Sequence, residues 1–180
     1  MPVASGLEAL MAGYQRADPE AAAALIENVS PQLHRFFMVQ AVSRRFADDL
    51  LQETWLRIHK ARATYRPGEP VLPWIYAIAR HVQVDSYRKV RRREAREQQV
   101  EVLPEYAMKA DGARRGPDLE SLLSALPESQ REAITMLKVT GMSLEEVARA
   151  TSSSVGSVKQ KVHRAYNKIR EILKSRAHDA

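Results

Sequence analysis

The residues from 143 to 164, SLEEVARATSSSVGSVKQKVHR, constrain the fold of this chain more than any other stretch. Ser143 lies three residues before Glu146, and such a pair closes a capping box over the first backbone N–H groups of a helix. A helix is therefore predicted to begin at Leu144. It cannot continue far, because residues 151–154 are Thr and Ser, which prefer hydrogen bonds to the local backbone over a continued helix.

A second helix is predicted directly after this polar break. Ser154 can serve as its N-cap, so that the helix begins at Val155. Two short helices joined by about three turn residues form a helix-turn-helix, whose second helix commonly lies in the DNA major groove. The apolar residues of the second helix recur every three or four positions, which leaves its Lys, Gln, His and Arg side chains facing outward. The stretch therefore favours a DNA-binding function.

The charge of the chain is compatible with that function but does not establish it. The formal net charge is +6 and the isoelectric point is near 9.7, which suits a polyanionic partner. Basic residues are concentrated near the C-terminus, where Glu171 is the one acidic residue between Lys159 and Arg176. The same run would also suit a solvated helix face.

Cysteine is absent from the sequence. Its absence excludes disulfide bonds, a thiolate nucleophile and a cysteine-based zinc site, and it fits a reducing compartment. The N-terminus lacks a basic start followed by an apolar run, and no stretch approaches the roughly 18 apolar residues that span a bilayer. We therefore expect a soluble, cytoplasmic protein.

Strand signals are nearly absent as well, so the predicted fold class is all-α. No sustained period-two alternation occurs. Helices are predicted over Leu7 to Arg16 and, with Asp18 as N-cap, from Pro19 onward. At Pro31 the second helix either kinks or restarts, and the sequence leaves both possibilities open.

The middle of the chain predicts two amphipathic helices around a loop. Apolar residues at helical spacing predict the first helix over residues 48–63. The stretch TYRPGEPVLP, residues 64–73, contains three Pro and one Gly and is predicted to be a loop. The second helix is predicted to follow from Trp74 and to end in the basic run between Arg88 and Arg93.

The rest of the chain divides into a linker and a second helical domain. Residues 94–116 are polar and lack periodicity, which predicts a flexible linker between domains at 1–93 and 117–180. In the second domain, Pro127 is predicted to open a helix that Gly141 ends, ahead of the helix-turn-helix.

Three blocks of sequence together resemble the extracytoplasmic-function group of bacterial RNA polymerase sigma factors. They are DDLLQETWLRIHKA at 48–61, PWIYAIARHVQVDSYRKVRRR at 73–93, and the segments LPESQREAI, GMSLEEVA and SVGSVKQKVHRAYNKIREIL within 126–173. The resemblance implies a region 2-like and a region 4-like helical domain on a flexible linker, which bind core RNA polymerase and recognise the minus-ten and minus-thirty-five promoter elements. It also implies that the chain has no catalytic residues and no cofactor.

Some positions depart from the usual pattern of that family. In the turn of the helix-turn-helix, Ser152 stands where Gly is common, Ser153 replaces an aliphatic residue and Thr151 replaces a Leu. Ser152 is therefore expected to adopt a backbone conformation that Gly takes at less cost, in a looser turn than usual. Val71 stands where an aromatic residue is common before the tryptophan.

The resemblance assigns the N-terminal part of the last helix to the minus-thirty-five duplex. Arg or Lys can hold guanine O6 and N7, Gln can pair with adenine, and Ser near the helix start can bind phosphate together with backbone N–H groups. Base contacts are expected from Lys159, Gln160, His163 and Arg164. The complete predicted set is Ser154, Ser157, Lys159, Gln160, Lys161, His163 and Arg164.

The first amphipathic helix carries the predicted polymerase-binding face. A spacing of three or four residues places Asp49, Gln52 and Glu53 on one side of the helix, next to Leu56. By resemblance, these four residues dock on the clamp coiled coil of the largest polymerase subunit. Taken alone, Glu53 and Arg57 would form an intrahelical ion pair worth about 0.3 kcal/mol.

A third set of residues provides side chains for promoter opening. A base that leaves the duplex needs a stacking surface or pocket and a positive track for its backbone. Pro residues in the loop would lower the ordering cost of holding such a base. The predicted minus-ten set is Tyr65, Arg66, Trp74, Arg80, His81, Tyr87 and Arg88. Trp74 has the alternative of packing in the core.

Two other classes of protein remain open on sequence. A helix-turn-helix regulator would bind operator DNA without engaging polymerase. A metal-dependent hydrolase would use Asp48, Asp49, Glu53 and His59, but His59 lies well round the helix from Glu53 and no HExxH motif occurs, so no metal site is expected. Many members of the sigma factor group are held inactive by an anti-sigma protein, so the resemblance also implies such a partner.

Overall fold

The structure is a computed structural model, and it describes residues 6–40, 44–97 and 119–178. Every regular element in these ranges is helical, which confirms the predicted all-α fold class. Within the same ranges, no helix combines the length and the apolar character that a membrane span requires. The α-helices are α1 (Gly6–Gln15), α2 (Pro19–Gln40), α3 (Arg44–Ala61), α4 (Val71–Glu97), α5 (Leu119–Ser124), α6 (Glu128–Lys138), α7 (Leu144–Ala150) and α8 (Val155–His178), and a 3-10 helix, Arg62–Thr64, follows α3.

The second helix begins with the predicted cap. Asp18 Oδ1 accepts hydrogen bonds from the backbone N–H groups of Glu20 at 3.0 Å and Ala21 at 3.3 Å. α2 begins at Pro19 and then continues through Pro31 to its end. Of the two possibilities that the sequence left open at Pro31, a restart of the helix is therefore wrong.

The helix α4 begins at Val71, three residues before the predicted start at Trp74. Pro73 fits within the first turn because the first N–H groups of a helix have no acceptor inside it. The backbone N–H of Val71 donates to Glu8 Oε1 of α1 at 3.0 Å, so this helix end is held by a residue far away in sequence. The prediction of a loop over residues 64–73 is therefore wrong for the last three of them and for Thr64, which belongs to the 3-10 helix.

The helices α1 to α4 pack around an aromatic centre. The ring of Phe36 in α2 meets the ring of Tyr76 in α4 edge-to-face, with centroids 5.3 Å apart. Phe37 contacts Phe36 in a similar way at 5.4 Å. From α3, Leu50 and Ile58 are buried against this centre, as the helical spacing predicts. The opposite side of α3 is left on the surface.

The helices α6, α7 and α8 pack on one another and also on the N-terminal helices. α7 lies against α4, and α6 lies against α2. Met136 of α6 and Val147 of α7 belong to the same buried cluster as Tyr76. α4 continues to Glu97, and the rest of the predicted linker, residues 98–116, lies outside the described residues. The division into two domains stays a prediction, while their helices are in direct contact here.

Candidate nucleic-acid interface

The helices α7 and α8 form the predicted helix-turn-helix. Ser143 Oγ accepts a hydrogen bond from the Glu146 N–H at 3.1 Å, and Glu146 Oε2 accepts one from the Ser143 N–H at 2.8 Å. Both halves of the capping box are therefore present, and α7 begins at Leu144. α8 begins at Val155. The predicted starts of both helices are confirmed.

The turn between the two helices contains one strained residue. Ser152 has a φ of 49°, in the left-handed region, as the replacement of the usual Gly led us to expect. The hydroxyl oxygens of Thr151 and Ser153 are 2.8 Å apart and hydrogen-bonded, so polar contacts tie the turn internally. Ser154 Oγ accepts from the Ser157 N–H at 3.1 Å and caps α8. The turn thus fixes the direction in which α8 leaves.

The N-terminal part of α8 presents the predicted minus-thirty-five residues on the surface. Val158, Val162 and Ala165 are buried against the neighbouring helices. The opposite faces carry the predicted set, of which Ser154, Lys159, Gln160, His163 and Arg164 are exposed and Ser157 and Lys161 are half-buried. Cationic and amide groups that can read base edges therefore lie together on one exposed helix surface.

Tyr65 and Trp74, two aromatic residues of the predicted minus-ten set, pack against each other and against the core. Tyr65 is 3% exposed, and its hydroxyl donates to the backbone oxygen of Glu69. The half-buried Trp74 packs edge-to-face on Tyr65, with ring centroids 5.6 Å apart. In this arrangement the Tyr65 ring cannot stack on a base. The contacts of Trp74 agree with the alternative that it packs in the core.

Arg80, also of the predicted minus-ten set, forms an ion pair with a residue of α6. Its Nε donates to Glu132 Oε1 at 2.6 Å, and Glu132 is only 7% exposed. Burial raises the pKa of the Glu132 carboxyl, and the adjacent Arg80 opposes that shift. Glu132 was not singled out from the sequence, because no motif marks a partner 52 residues away.

The other members of the minus-ten set lie along α4 and its preceding loop. Arg66, His81 and Arg88 are exposed. Tyr87 is half-buried, and its hydroxyl donates to the Gln40 backbone oxygen at 2.6 Å. The structure therefore divides the set into exposed cationic residues and residues held by packing or by an ion pair.

The predicted polymerase-binding face of α3 lies on the surface. Glu53 Oε1 accepts from Arg57 Nε at 2.9 Å, so the intrahelical pair is present. Arg57 also binds Asp85 Oδ2 at 2.7 Å, and this hydrogen bond holds the pKa of Asp85 below its usual value. The exposed members of the face are Asp49, Gln52 and Leu56, the last of them 52% exposed.

The acidic residues of α3 do not assemble a metal site. Asp48 Oδ1 lies 2.9 Å from His34 Nε2, and His59 Nδ1 lies 2.8 Å from the Tyr14 hydroxyl. Over the described ranges, no group of three or more His, Cys, Asp or Glu side chains is placed to hold a metal ion.

These features define a helical protein that joins a helix-turn-helix to a second helical unit with a basic helix and an exposed, partly acidic face. The family model for Sigma-70 region 2 matches residues 25–93, and that for Sigma-70, region 4 matches residues 118–169. The chain belongs to the sigma-70 family of RNA polymerase sigma factors, in the extracytoplasmic-function group. It is therefore a promoter-recognition and transcription-initiation factor of RNA polymerase and not an enzyme.

Curated relatives support the same assignment. Over 147 residues the chain is 31% identical to the RNA polymerase sigma factor CarQ of Myxococcus xanthus. This alignment covers 80% of this chain and 84% of that protein. Over 180 residues it is 33% identical to the ECF RNA polymerase sigma factor SigD of Mycobacterium tuberculosis. That alignment covers 92% of this chain and 82% of SigD. The resemblance to this group is thereby confirmed.

Solved structures share the fold. CnrH in complex with the cytosolic domain of CnrY superposes with a TM-score of 0.73 at 22% identity, covering 95% of this chain and 99% of that chain. The sigma factor RpoE of Bartonella quintana, in complex with the anti-sigma factor NepR, gives a TM-score of 0.65 at 25% identity, covering 83% and 94%.

Proposed function

We propose that this sigma factor reads the minus-thirty-five element with the N-terminal part of α8, contacts the minus-ten region through α4 and its preceding loop, and docks on core polymerase through α3. The observation that carries the proposal is the exposure of most of the α8 set and of most of the α3 face, which lie in different sigma regions of one chain.

The α8 assignment rests on residue type and exposure. Lys159 and Arg164 can donate to guanine, and Gln160 can donate to and accept from adenine. Ser154 lies at the helix start, where backbone N–H groups and a hydroxyl can hold a phosphate. The more distal basic residues of α8 add a positive surface that attracts the DNA backbone without reading sequence.

The docking assignment rests on the pattern of α3. Leu56 is a large apolar side chain that is 52% exposed, and Asp49 and Gln52 flank it on the surface. An apolar side chain beside the carboxylates of Asp49 and Glu53 suits a partner helix that is itself amphipathic and basic. The clamp coiled coil of the polymerase is the partner that we propose, and the four residues of the predicted face would contact it together.

The minus-ten assignment needs a change in the arrangement of the helices. Arg66, His81 and Arg88 are exposed and can attract a phosphate backbone as they stand. Arg80 is bound to the buried Glu132 of α6, so it reaches DNA only after α6 moves away from α4. The promoter-bound protein is therefore more open than the form described here.

We further propose that an anti-sigma protein controls this chain in the cytoplasm. The proposal is supported by the similarity to RpoE of Bartonella quintana, which was solved in complex with an anti-sigma factor. The cytoplasmic assignment follows from the partners, since RNA polymerase and promoter DNA lie there.

Transcription in vitro with purified core polymerase tests the proposal. Added protein should produce promoter-specific transcripts that core polymerase alone does not make. The double variant Asp49→Arg with Glu53→Arg should lose association with core polymerase in a pull-down, because two attractive charges become repulsive. Glu20→Arg with Glu27→Arg, which changes the same charge on the exposed side of α2, is the matched control. Retention of core polymerase by the α3 variant at the control level would exclude the docking role.

A further inference from the structure

A cleft of about 340 Å³ lies where α2, α4 and α6 meet. Two of these helices belong to the sigma region 2 match and α6 belongs to the region 4 match. The charged and amide side chains that line it are those of Gln40, Gln83, Arg88, Arg91, Glu128 and Arg131. None of the established activities of a sigma factor requires a small cavity at this position.

The side chains that line the cleft carry an excess of positive charge. Three arginines face one glutamate. Elsewhere, the half-buried Arg57 pairs with two carboxylates and the half-buried Arg80 pairs with Glu132. In the described part of the chain, by contrast, no carboxylate lies within 4.0 Å of the guanidinium groups of Arg88, Arg91 or Arg131.

Arg131 is the most constrained of the three. It is half-buried, and its Nη1 and Nη2 donate to the backbone oxygens of Val39 at 3.4 Å and Leu126 at 3.1 Å. Among the residues that the structure describes, its buried Nε has no hydrogen-bond partner. Removing a guanidinium from water without an opposite charge is costly, so this position favours an anion beside it.

Two buried amides add unsatisfied hydrogen-bonding groups at the same place. Gln40 and Gln83 are each 3% exposed. Neither Oε1 nor Nε2 of Gln40, nor Oε1 of Gln83, has a partner among the described residues. Buried amides are almost always hydrogen-bonded in native proteins. Their grouping with Arg131 indicates a polar site and not a packing fault.

We propose that this cleft binds a small anion that carries phosphate groups. The planar guanidinium is the side chain best suited to hold phosphate oxygens in pairs, and three of them converge here. The volume lies at the small end of the range for ligand sites. Because α4 and α6 both contribute arginines, a bound anion joins the two sigma regions and favours their packed arrangement. The inference goes beyond the proposed function and does not depend on it.

Calorimetric titration with inorganic pyrophosphate at constant ionic strength tests the site. Arg91→Gln should weaken binding by about tenfold or more, as the loss of one charge-assisted contact does. Arg92→Gln is the matched control, because Arg92 is the next residue on α4, is also exposed and does not line the cleft. Absence of pyrophosphate binding, or an equal loss in both variants, would overturn the proposal, since the second result indicates attraction to the basic helix as a whole.

A second variant tests whether α6 takes part. Arg131→Gln should also weaken pyrophosphate binding by about tenfold, with the far-ultraviolet circular dichroism spectrum unchanged. If Arg131→Gln bound like the wild type, the anion would sit on α4 alone and the shared site would be wrong. A single-stranded oligonucleotide in place of pyrophosphate distinguishes the source of the phosphate. Tight oligonucleotide binding that depends on both arginines, without pyrophosphate binding, would assign the cleft to DNA and refute a small-molecule site.

Discussion

At the scale of single residues, Ser152 carries the backbone strain of the helix-turn-helix. Its φ of 49° costs a residue with a Cβ atom about 1–2 kcal/mol relative to Gly. Ser152→Gly should raise the free energy of unfolding by about 0.5 kcal/mol, because the relieved strain slightly exceeds the entropy that Gly adds to the unfolded chain. Urea unfolding measures the change. Ser153→Gly should instead lower stability, since Ser153 has an ordinary φ and loses its bond to Thr151; a gain in both variants would contradict this account.

Glu132 gives the stability of the molecule a specific pH dependence. Burial raises the pKa of its carboxyl in the folded state, despite the opposing effect of Arg80. The folded protein therefore binds more protons than the unfolded chain just above the ordinary pKa of a glutamate. The contribution of this group to the free energy of unfolding consequently falls as pH rises through that window.

The variant Glu132→Gln isolates this contribution. It keeps the size of the side chain and removes its titration. The contributions of the other carboxylates to the pH dependence therefore cancel when the two proteins are compared. The free energy of unfolding of the wild type minus that of the variant should decrease as pH rises from the ordinary pKa of a glutamate to the raised value. Urea unfolding over a pH series measures this difference, and a difference that is flat or that increases with pH would be evidence against a raised pKa.

At the scale of helices, short-range signals predict the starts of α7 and α8 correctly. The predicted start of α4 is wrong because a long-range contact helps to set it. The capping box of Ser143 and Glu146 is complete within four residues, so the sequence alone contains it. The start of α4 depends on Glu8, which accepts from the Val71 N–H across 63 residues. No local pattern encodes that bond. The sequence alone therefore predicts that Pro73 belongs to the loop.

The recognition surface of α8 supports a prediction at the same scale. Arg164 is exposed on the predicted base-reading face. Arg164→Ala should weaken binding of polymerase holoenzyme to a minus-thirty-five duplex by about 1–3 kcal/mol if the guanidinium reads a base, with the loss confined to one base position. Lys174→Ala removes an exposed charge further along α8 and should cost less, equally for all sequences. Fluorescence anisotropy with single-base duplex variants measures both. Equal, sequence-independent losses would reduce Arg164 to a backbone contact.

At the scale of the whole molecule, two ion pairs join the two sigma regions, and one of them engages Arg80, which contacts DNA in the proposed function. Arg80 binds Glu132 across 52 residues, and Arg149 Nη1 binds Glu69 Oε2 at 2.9 Å across 80 residues. Composition and motifs place Arg80 in a candidate DNA-binding set but contain nothing about its protein partner. That partner is set by tertiary packing, in which α7 lies against α4 and α6 lies against α2. The sequence therefore makes Arg80 a candidate for DNA contact, but it does not predict that Arg80 binds Glu132 in this arrangement.

This arrangement should be incompatible with initiation. The natural chain contains no cysteine, so Glu69→Cys with Arg149→Cys creates a unique pair that a short bis-maleimide reagent can bridge. The two native side chains meet at 2.9 Å, which puts the introduced thiols within reach of such a reagent. Bridging keeps α7 on the loop before α4 and should abolish promoter-specific transcription with core polymerase, because Arg80 stays covered. Each single-cysteine variant, treated with the same reagent, should retain activity. Full transcription by the bridged protein would mean that α4 reads DNA while α6 and α7 remain packed on it, and that Arg80 has no part in the contact.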